Sequence, residues 1–142
     1  MLENLRQRSS EESGFTLVEL LVVMLILGIL AAIAVPSFFN QRDKARDADA
    51  KVGARTAQTA METYATDNGG SYAGATDVDL QTIEEVLNDF TITVLSDAET
   101  YTVTVDSTTG NDFSIARAAD GTVALTCNAA ATDGCPTGGI WG

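Results

Sequence analysis

A single carboxylate lies inside the most apolar part of this 142-residue chain. Between Phe15 and Phe39 the only charged residue is Glu19. A carboxylate in such a run is costly unless it pairs with a cation, reaches the lipid headgroups or takes up a proton. No Lys or Arg of the same run lies near Glu19. If the chain were cut after Gly14, the new α-amino group of Phe15 would supply that cation, within one helix or between neighbouring copies.

Few other residues of the chain could do chemistry. There is no His, which excludes His-based catalytic dyads and His metal ligands. No Ser or Cys lies in a nucleophile motif, and the Gly-rich pieces match no phosphate-binding loop. Residues 106–112 (DSTTGND) carry oxygen ligands but lack EF-hand spacing. We therefore expect no enzyme activity, no cofactor and no metal site.

The apolar run, residues 15–39, is predicted to be a transmembrane helix. A helix crosses a bilayer with about 20 apolar residues and satisfies all of its own backbone groups. Two residues weaken the run, because Gly28 lowers helix propensity and Pro36 lacks an N–H and crowds the preceding turn. The segment between them is either a harmless kink or a point where the helix can unwind.

Residues 40–68 are predicted to continue the same helix as an amphipathic half. They are rich in Ala, Gln, Lys, Arg and Glu, contain no Pro, and end at Asn68-Gly69-Gly70. Small, weakly apolar residues recur on one side at three- and four-residue spacing, and we predict that this stripe packs on the rest of the domain. The stripe consists of Ala45, Ala48, Val52, Thr56, Ala60 and Tyr64.

Residues 69–142 are predicted to form a globular head with a loop, a short helix, a sheet and a disulfide loop. Leu80, Ile83 and Leu87 indicate the helix, with Asp77 or Asp79 as its N-cap. Four runs of alternating polarity then predict strands around residues 90–94, 101–105, 113–115 and 123–127. Short links favour an antiparallel meander. The fold class is therefore α+β, with a long N-terminal helix packed on a four-stranded antiparallel sheet.

Charge is unevenly distributed along the chain. Five of the eight basic residues lie between Arg42 and Arg55, and beyond them only Arg117 is basic, against thirteen Asp and Glu. Such an acidic head should repel nucleic acid. Two basic residues precede the apolar run and five follow it, so the positive-inside rule would place the head in the cytoplasm. The cysteine pair favours the opposite, oxidising side, which we expect.

The two ends of the chain carry further predictions. Cys127 and Cys135 are expected to form a disulfide near the C-terminus. Trp141 either plugs the sheet edge or forms an exposed contact. Residues 1–14 are polar and are interpreted as a leader. An ordinary secretory signal peptide is the alternative, since residues 32–34 form a small-x-small cleavage motif, but the apolar run is too long for one and carries Glu19.

The sequence that begins at Gly14, GFTLVELLVVMLILGILAAIAVPSF, resembles the N-terminal signature of type IV pilins and of the pseudopilins of type II secretion. The resemblance implies that a prepilin peptidase cuts after Gly14, and that Phe15 becomes the N-methylated mature N-terminus. Glu19 would then serve subunit recruitment and alignment. Family leaders tend to be basic beside the cut, whereas acidic residues outnumber Arg in this leader.

The resemblance also has implications for the later parts of the chain. Gly28 and Pro36 would bound the stretch that unwinds in filaments of this family, and the family's C-terminal cysteine pair maps onto Cys127 and Cys135. The order of long helix, loop, four-stranded sheet and disulfide is also that of pilins.

We therefore expect a structural subunit that polymerises into a type IV pilus after leader cleavage. Its partners would be identical subunits, the prepilin peptidase and methylase, the membrane and the pilus assembly machinery. The precursor would reside in the inner or cytoplasmic membrane and the filament outside the cell. The alternatives are a major pseudopilin of a type II secretion system and a monomeric, membrane-anchored binding domain.

Overall fold

A computed structural model of the chain describes residues 14–128 and 132–142. The predicted leader therefore lies outside the described residues, apart from Gly14. The chain divides into two compact units, Met1–Phe39 and Asn40–Gly142, and each is described separately. The first unit contains the start of helix α1, and the second contains the remaining helices and all the strands.

Helix α1 runs from Leu17 to Asp67. In the first unit all residues from 14 to 39 are exposed, although nearly all of them are apolar. This part of the helix is long and apolar enough to cross a membrane. Gly28 and Pro36 both lie inside α1, which is uninterrupted at either position. Unwinding between them thus stays a prediction about another state of the molecule.

In the second unit, α1 buries a face made mostly of small residues. The buried residues are Asp47, Ala50, Gly53, Ala54, Ala57, Ala60, Met61 and Ala65. Small side chains on this face let neighbouring side chains pack close to the helix backbone. The Phe90 ring lies so close to Gly53 that an added Cβ would be 3.0 Å from it.

The predicted stripe on this half of α1 was largely wrong. Ala45, Ala48 and Val52 are exposed, and of the six residues only Ala60 is buried. The helix carries small residues on two faces, so spacing alone did not distinguish them. The sheet covers the face that also presents Met61.

Helix α2 spans Asp77–Ile83, and a 3-10 turn follows at Glu85–Asp89. The N-cap is Thr76, so the prediction of Asp77 or Asp79 was wrong by one to three positions. The Asp79 N–H donates to Thr76 Oγ1 at 3.3 Å, and the Thr76 N–H donates to Asp79 Oδ2 at 2.9 Å. This capping box satisfies two backbone donors that the helix itself cannot.

Four strands form one antiparallel sheet in the order β1-β2-β3-β4, which confirms the predicted meander. They are β1 Thr91–Ser96, β2 Tyr101–Asp106, β3 Asp112–Arg117 and β4 Val123–Cys127. The register places Val103 opposite both Val94 and Ile115, so apolar residues line up across neighbouring strands.

The core lies between the buried face of α1 and one face of the sheet. Its largest fully buried side chains are Phe113, Met61, Leu80, Leu87 and Ile115. Burial alternates along β2, where every second residue from Tyr101 onward is buried. The architecture is α+β, with a long helix packed on a four-stranded antiparallel sheet, as the sequence predicts.

The C-terminal segment folds back onto the sheet. Cys127 and Cys135 form a disulfide, and Ile140 forms a β-bridge with Thr126. Trp141 packs edge-on against Phe113, with ring centroids 5.8 Å apart, and its Nε1–H donates to the Thr126 carbonyl at 2.8 Å. Of the two predicted roles for Trp141, packing against the sheet is the one observed.

Replacing both cysteines, Cys127→Ala with Cys135→Ala, should lower the free energy of unfolding by about 2–3 kcal/mol, because the short loop gains entropy when unfolded. The sole tryptophan, Trp141, lies beside this loop and reports unfolding through its fluorescence. Guanidinium titration of the full-length chain in detergent micelles would measure the change. The parent protein with a reducing agent should show the same midpoint as the variant, and an unchanged midpoint in both would contradict the prediction.

Candidate functional site

The start of α1 is held by a capping box between Thr16 and Glu19. The Thr16 N–H and hydroxyl both donate to Glu19 Oε2, at 2.9 and 3.0 Å. In return, the Glu19 N–H donates to Thr16 Oγ1 at 3.1 Å. The box satisfies backbone donors of the first helical turn and fixes the position of the carboxylate. Sequence reasoning missed the role of Thr16, although Thr-x-x-Glu before an apolar run is the usual signature of this motif.

One oxygen of Glu19 remains available at this site. Both hydrogen bonds from Thr16 reach Oε2, and no described residue donates to Oε1. Gly14, Phe15, Thr16 and Glu19 together line an open hollow of about 410 Å³. The structure therefore brings the two residues of the predicted cut site next to the predicted alignment residue, with one carboxylate oxygen that no described residue engages.

The apolar surface beside this site is unusually large. All residues from 14 to 39 are exposed, with large side chains such as Leu17, Met24 and Ile33 each more than 70 % exposed. Soluble monomers rarely expose contiguous apolar patches of more than a few hundred Å². This part of the chain thus requires lipid or other protein surfaces around it. A Cβ added to Gly28 would point into open space, because it would meet no atom within 4 Å beyond the neighbouring backbone of its own helix.

A buried carboxylate in the second unit was also missed by sequence reasoning. Asp47 is fully buried and accepts four hydrogen bonds of 2.5–2.8 Å. The donors are the hydroxyls of Ser107 and Thr109, the amide of Asn111 and the N–H of Gly134. Asp47 therefore joins helix α1 to the β2–β3 loop and to the disulfide loop.

The environment of Asp47 decides its charge. Burial disfavours the ionised form, but the four hydrogen bonds outweigh burial and hold the pKa of the carboxyl below its ordinary value. The oxygen-rich loop at 106–112 takes part in the same network, because its Ser107, Thr109 and Asn111 side chains donate hydrogen bonds to Asp47. Among the described residues, no group of three or more Cys, Asp or Glu is placed to hold a metal ion.

Comparison with known proteins connects the start of α1 to an established motif. The family profile for the prokaryotic N-terminal methylation motif matches residues 10–35. The chain is 34 % identical over 104 residues to the type IV narrow pilus major component PilA5 of Thermus thermophilus, an alignment that covers 63 % of this chain and 84 % of the relative. No solved structure matches the chain with statistical significance.

Two further relatives match over shorter parts of the chain. The type II secretion system core protein G of Pseudomonas aeruginosa is 43 % identical over 58 residues, which is 41 % of each chain. The type IV major fimbrial protein FimA of Dichelobacter nodosus is 46 % identical over 67 residues, or 46 % of this chain and 40 % of the relative. The chain thus covers well under half of these two proteins. Given the motif, the fold and the length of the PilA5 alignment, it belongs to the family of type IV pilins and type II secretion pseudopilins.

Proposed function

We propose that this chain is the precursor of a filament subunit, a type IV pilin whose mature form begins at Phe15. The observation that carries the proposal is the geometry at the start of α1. There, a carboxylate with one oxygen that accepts from no described residue stands at the head of an apolar helical segment whose side chains are exposed as far as Phe39. Neither feature serves the folding of the second unit. Both serve a chain that must pack its helix against copies of itself.

Cleavage between Gly14 and Phe15 would create the cation that the site lacks. The new α-amino group, N-methylated on Phe15, carries a positive charge and lies about 6 Å from Glu19 along a helix. In an apolar surrounding, an opposite charge is attracted far more strongly than in water. The Glu19 Oε1 of one subunit would accept a hydrogen bond from the charged Phe15 amine of its neighbour. This ion pair would set the axial stagger between helices.

The same helix would serve as a membrane anchor before assembly. Lipid is as apolar as the helix surface, so transfer into a filament must be driven by close helix packing and by the polar pair rather than by burial from water. The precursor would wait in the inner or cytoplasmic membrane with its acidic head on the exported, oxidising side. The prepilin peptidase and methylase and the pilus assembly machinery are its proposed partners, and the filament would be extracellular.

A pseudopilus subunit of a type II secretion system is the second candidate. It is favoured by the similarity to core protein G, which is 43 % identical to this chain over 58 residues. The longer alignment with a pilus component, which covers 84 % of that relative against 41 % of core protein G, supports the pilin assignment. Filaments recovered from the cell surface by shearing would support the pilin, whereas processed subunits confined to the cell envelope would support the pseudopilin.

Mass spectrometry of the purified N-terminus tests the proposal directly. We expect the chain to begin at Phe15 and to carry one methyl group on its α-nitrogen. A Gly14→Ile variant, whose larger side chain should block the peptidase, serves as the control and should keep its leader. An unprocessed parent chain would instead favour a monomeric, membrane-anchored binding domain.

A further inference from the structure

An open groove lies on the second unit between α1, Trp141 and the residues that follow α2. Its volume is about 540 Å³. Lys51, Val52 and Arg55 line it from the helix, and Glu84 and Val86 line it from the other side. Val52 is 63 % exposed and Val86 is 52 % exposed, so the groove offers apolar area that this chain does not cover.

The cations of the groove lack carboxylate partners. The Lys51 ammonium donates to the Gly134 carbonyl at 2.7 Å, and the Arg55 guanidinium lies 5.4 Å from the centre of the Trp141 ring. Neither forms an ion pair with any described residue. Glu84 is the one carboxylate among the lining residues, so the two cations give the groove a net positive charge in a chain of net charge −12. Beside the half-buried ring of Trp141, this charge suits an acidic partner.

The helical wall of the groove is also suited to protein contact. The Thr56 hydroxyl donates to the Val52 carbonyl at 3.0 Å, and the Thr59 hydroxyl donates to the Arg55 carbonyl at 3.2 Å. Since both hydroxyls are satisfied within the helix, they need no water or partner. A second surface can therefore cover this face without leaving polar groups unpaired.

A matching surface exists at one end of the sheet. The end of β1 and the turn that follows it, residues 95–99, are here called the acidic turn. It combines exposed Leu95 with exposed Asp97 and Glu99, and neither carboxylate forms an ion pair with a described residue. Arg117 lies near this end but pairs with Glu62 at 3.8 Å.

The acidic turn is held in place before any partner arrives. Asp97 N–H donates to the Thr100 carbonyl at 2.8 Å, and Tyr72 N–H donates to the Ala98 carbonyl at 3.2 Å. A turn that is already ordered loses little entropy on binding. Leu95 beside two carboxylates complements a groove that combines Trp141 and two valines with two cations and one carboxylate.

We propose that the groove of one copy binds the acidic turn of a second copy of this chain. This contact rests on the proposed function. It adds a specific contact between the second units of neighbouring copies to the pairing at Glu19. Groove and turn are different surfaces of the same unit, so the interface is heterologous, and a heterologous contact that does not close into a ring generates a filament.

Engineered cysteines test the proposal in whole cells that make the full-length chain and its assembly system. Val52→Cys with Ala98→Cys places one thiol in the groove and one on the acidic turn. Oxidation should link successive copies into a ladder of dimers, trimers and larger species on a non-reducing gel, because each copy carries both thiols. Ala45→Cys with Ala98→Cys is the matched control, since the exposed Ala45 lies about 10 Å along the helix from Val52, beyond disulfide reach.

Charge reversal provides a second test. Arg55→Glu should reduce the recovered filament at least about fivefold, since an attraction between exposed charges becomes a repulsion, and Arg55→Glu with Glu99→Arg should restore it. Lys44→Glu, on the same side of α1 but outside the groove, should leave the yield unchanged.

The outcomes separate this proposal from the proposed function. Filaments built from processed subunits without a ladder, or with dimers alone, would overturn the groove contact and leave the pilin assignment intact. An unprocessed chain without filaments would overturn both. Equal losses in the Lys44 and Arg55 variants would also overturn the groove contact, because they would show an effect of net charge only.

Discussion

A Glu19→Ala variant should yield at least about 100-fold less filament than the parent chain. Removing one partner of a charge pair buried from water costs about 3–5 kcal/mol, and each 1.4 kcal/mol is a factor of ten in the equilibrium for adding a subunit. The measurement is the ratio of subunit in the sheared filament fraction to subunit in whole cells. The variant should still be cut before Phe15, so that the loss lies in assembly.

Two further variants distinguish charge pairing from helix capping at Glu19. A Gln at this position can still accept the hydrogen bonds from Thr16, because capping boxes form with either residue. If charge pairing matters, Glu19→Gln should be as defective as Glu19→Ala. Thr16→Val should have a smaller effect, since it removes the hydroxyl that helps to position the carboxylate but keeps the backbone N–H and the charge of Glu19. Parental yield from Glu19→Gln would assign Glu19 a capping role only.

The second large effect is expected at Asp47. An Asp47→Ala variant should lose about 3–5 kcal/mol of the free energy of unfolding at pH 7, because it removes a buried acceptor of four hydrogen bonds, two of which come from the buried residues Ser107 and Asn111. The change can be followed through Trp141 fluorescence during guanidinium unfolding of the full-length chain in detergent micelles. Asp49→Ala is the matched control, since Asp49 is exposed on the same helix and should change stability by less than about 0.5 kcal/mol.

Acid should narrow the difference between the Asp47→Ala variant and the parent. The pKa of Asp47 is lower in the folded chain than in the unfolded one, so its contribution is complete above the unfolded value of about 3.9. That contribution is lost as the pH falls through the folded value. Unfolding curves at pH 7, 5 and 3 would reveal this trend. A difference that stays constant down to pH 3 would contradict the assigned ionisation state.

Much of the second unit could be predicted because its signals are local. The alternating runs that became the four strands, and the short links between them, determine an antiparallel meander without knowledge of the rest of the chain. The two errors have a physical cause. Helix α1 carries small residues on two faces, and Asp77, Thr76 and Asp79 are all common at helix starts. Packing against the sheet selects which face of α1 is buried. The geometry of the turn before α2 selects the N-cap.

The sequence by itself determined the apolar helix, because membrane length and the cost of a lone carboxylate are read from residue types. The cut after Gly14 and the alignment role of Glu19 are predictions that the resemblance to pilins implies. The tertiary structure alone decided which face of α1 is buried, that Asp47 ties three segments together, and that Thr16 holds Glu19 by one oxygen. Those features depend on distances between residues far apart in sequence, or on side-chain orientation, and neither is encoded in local spacing.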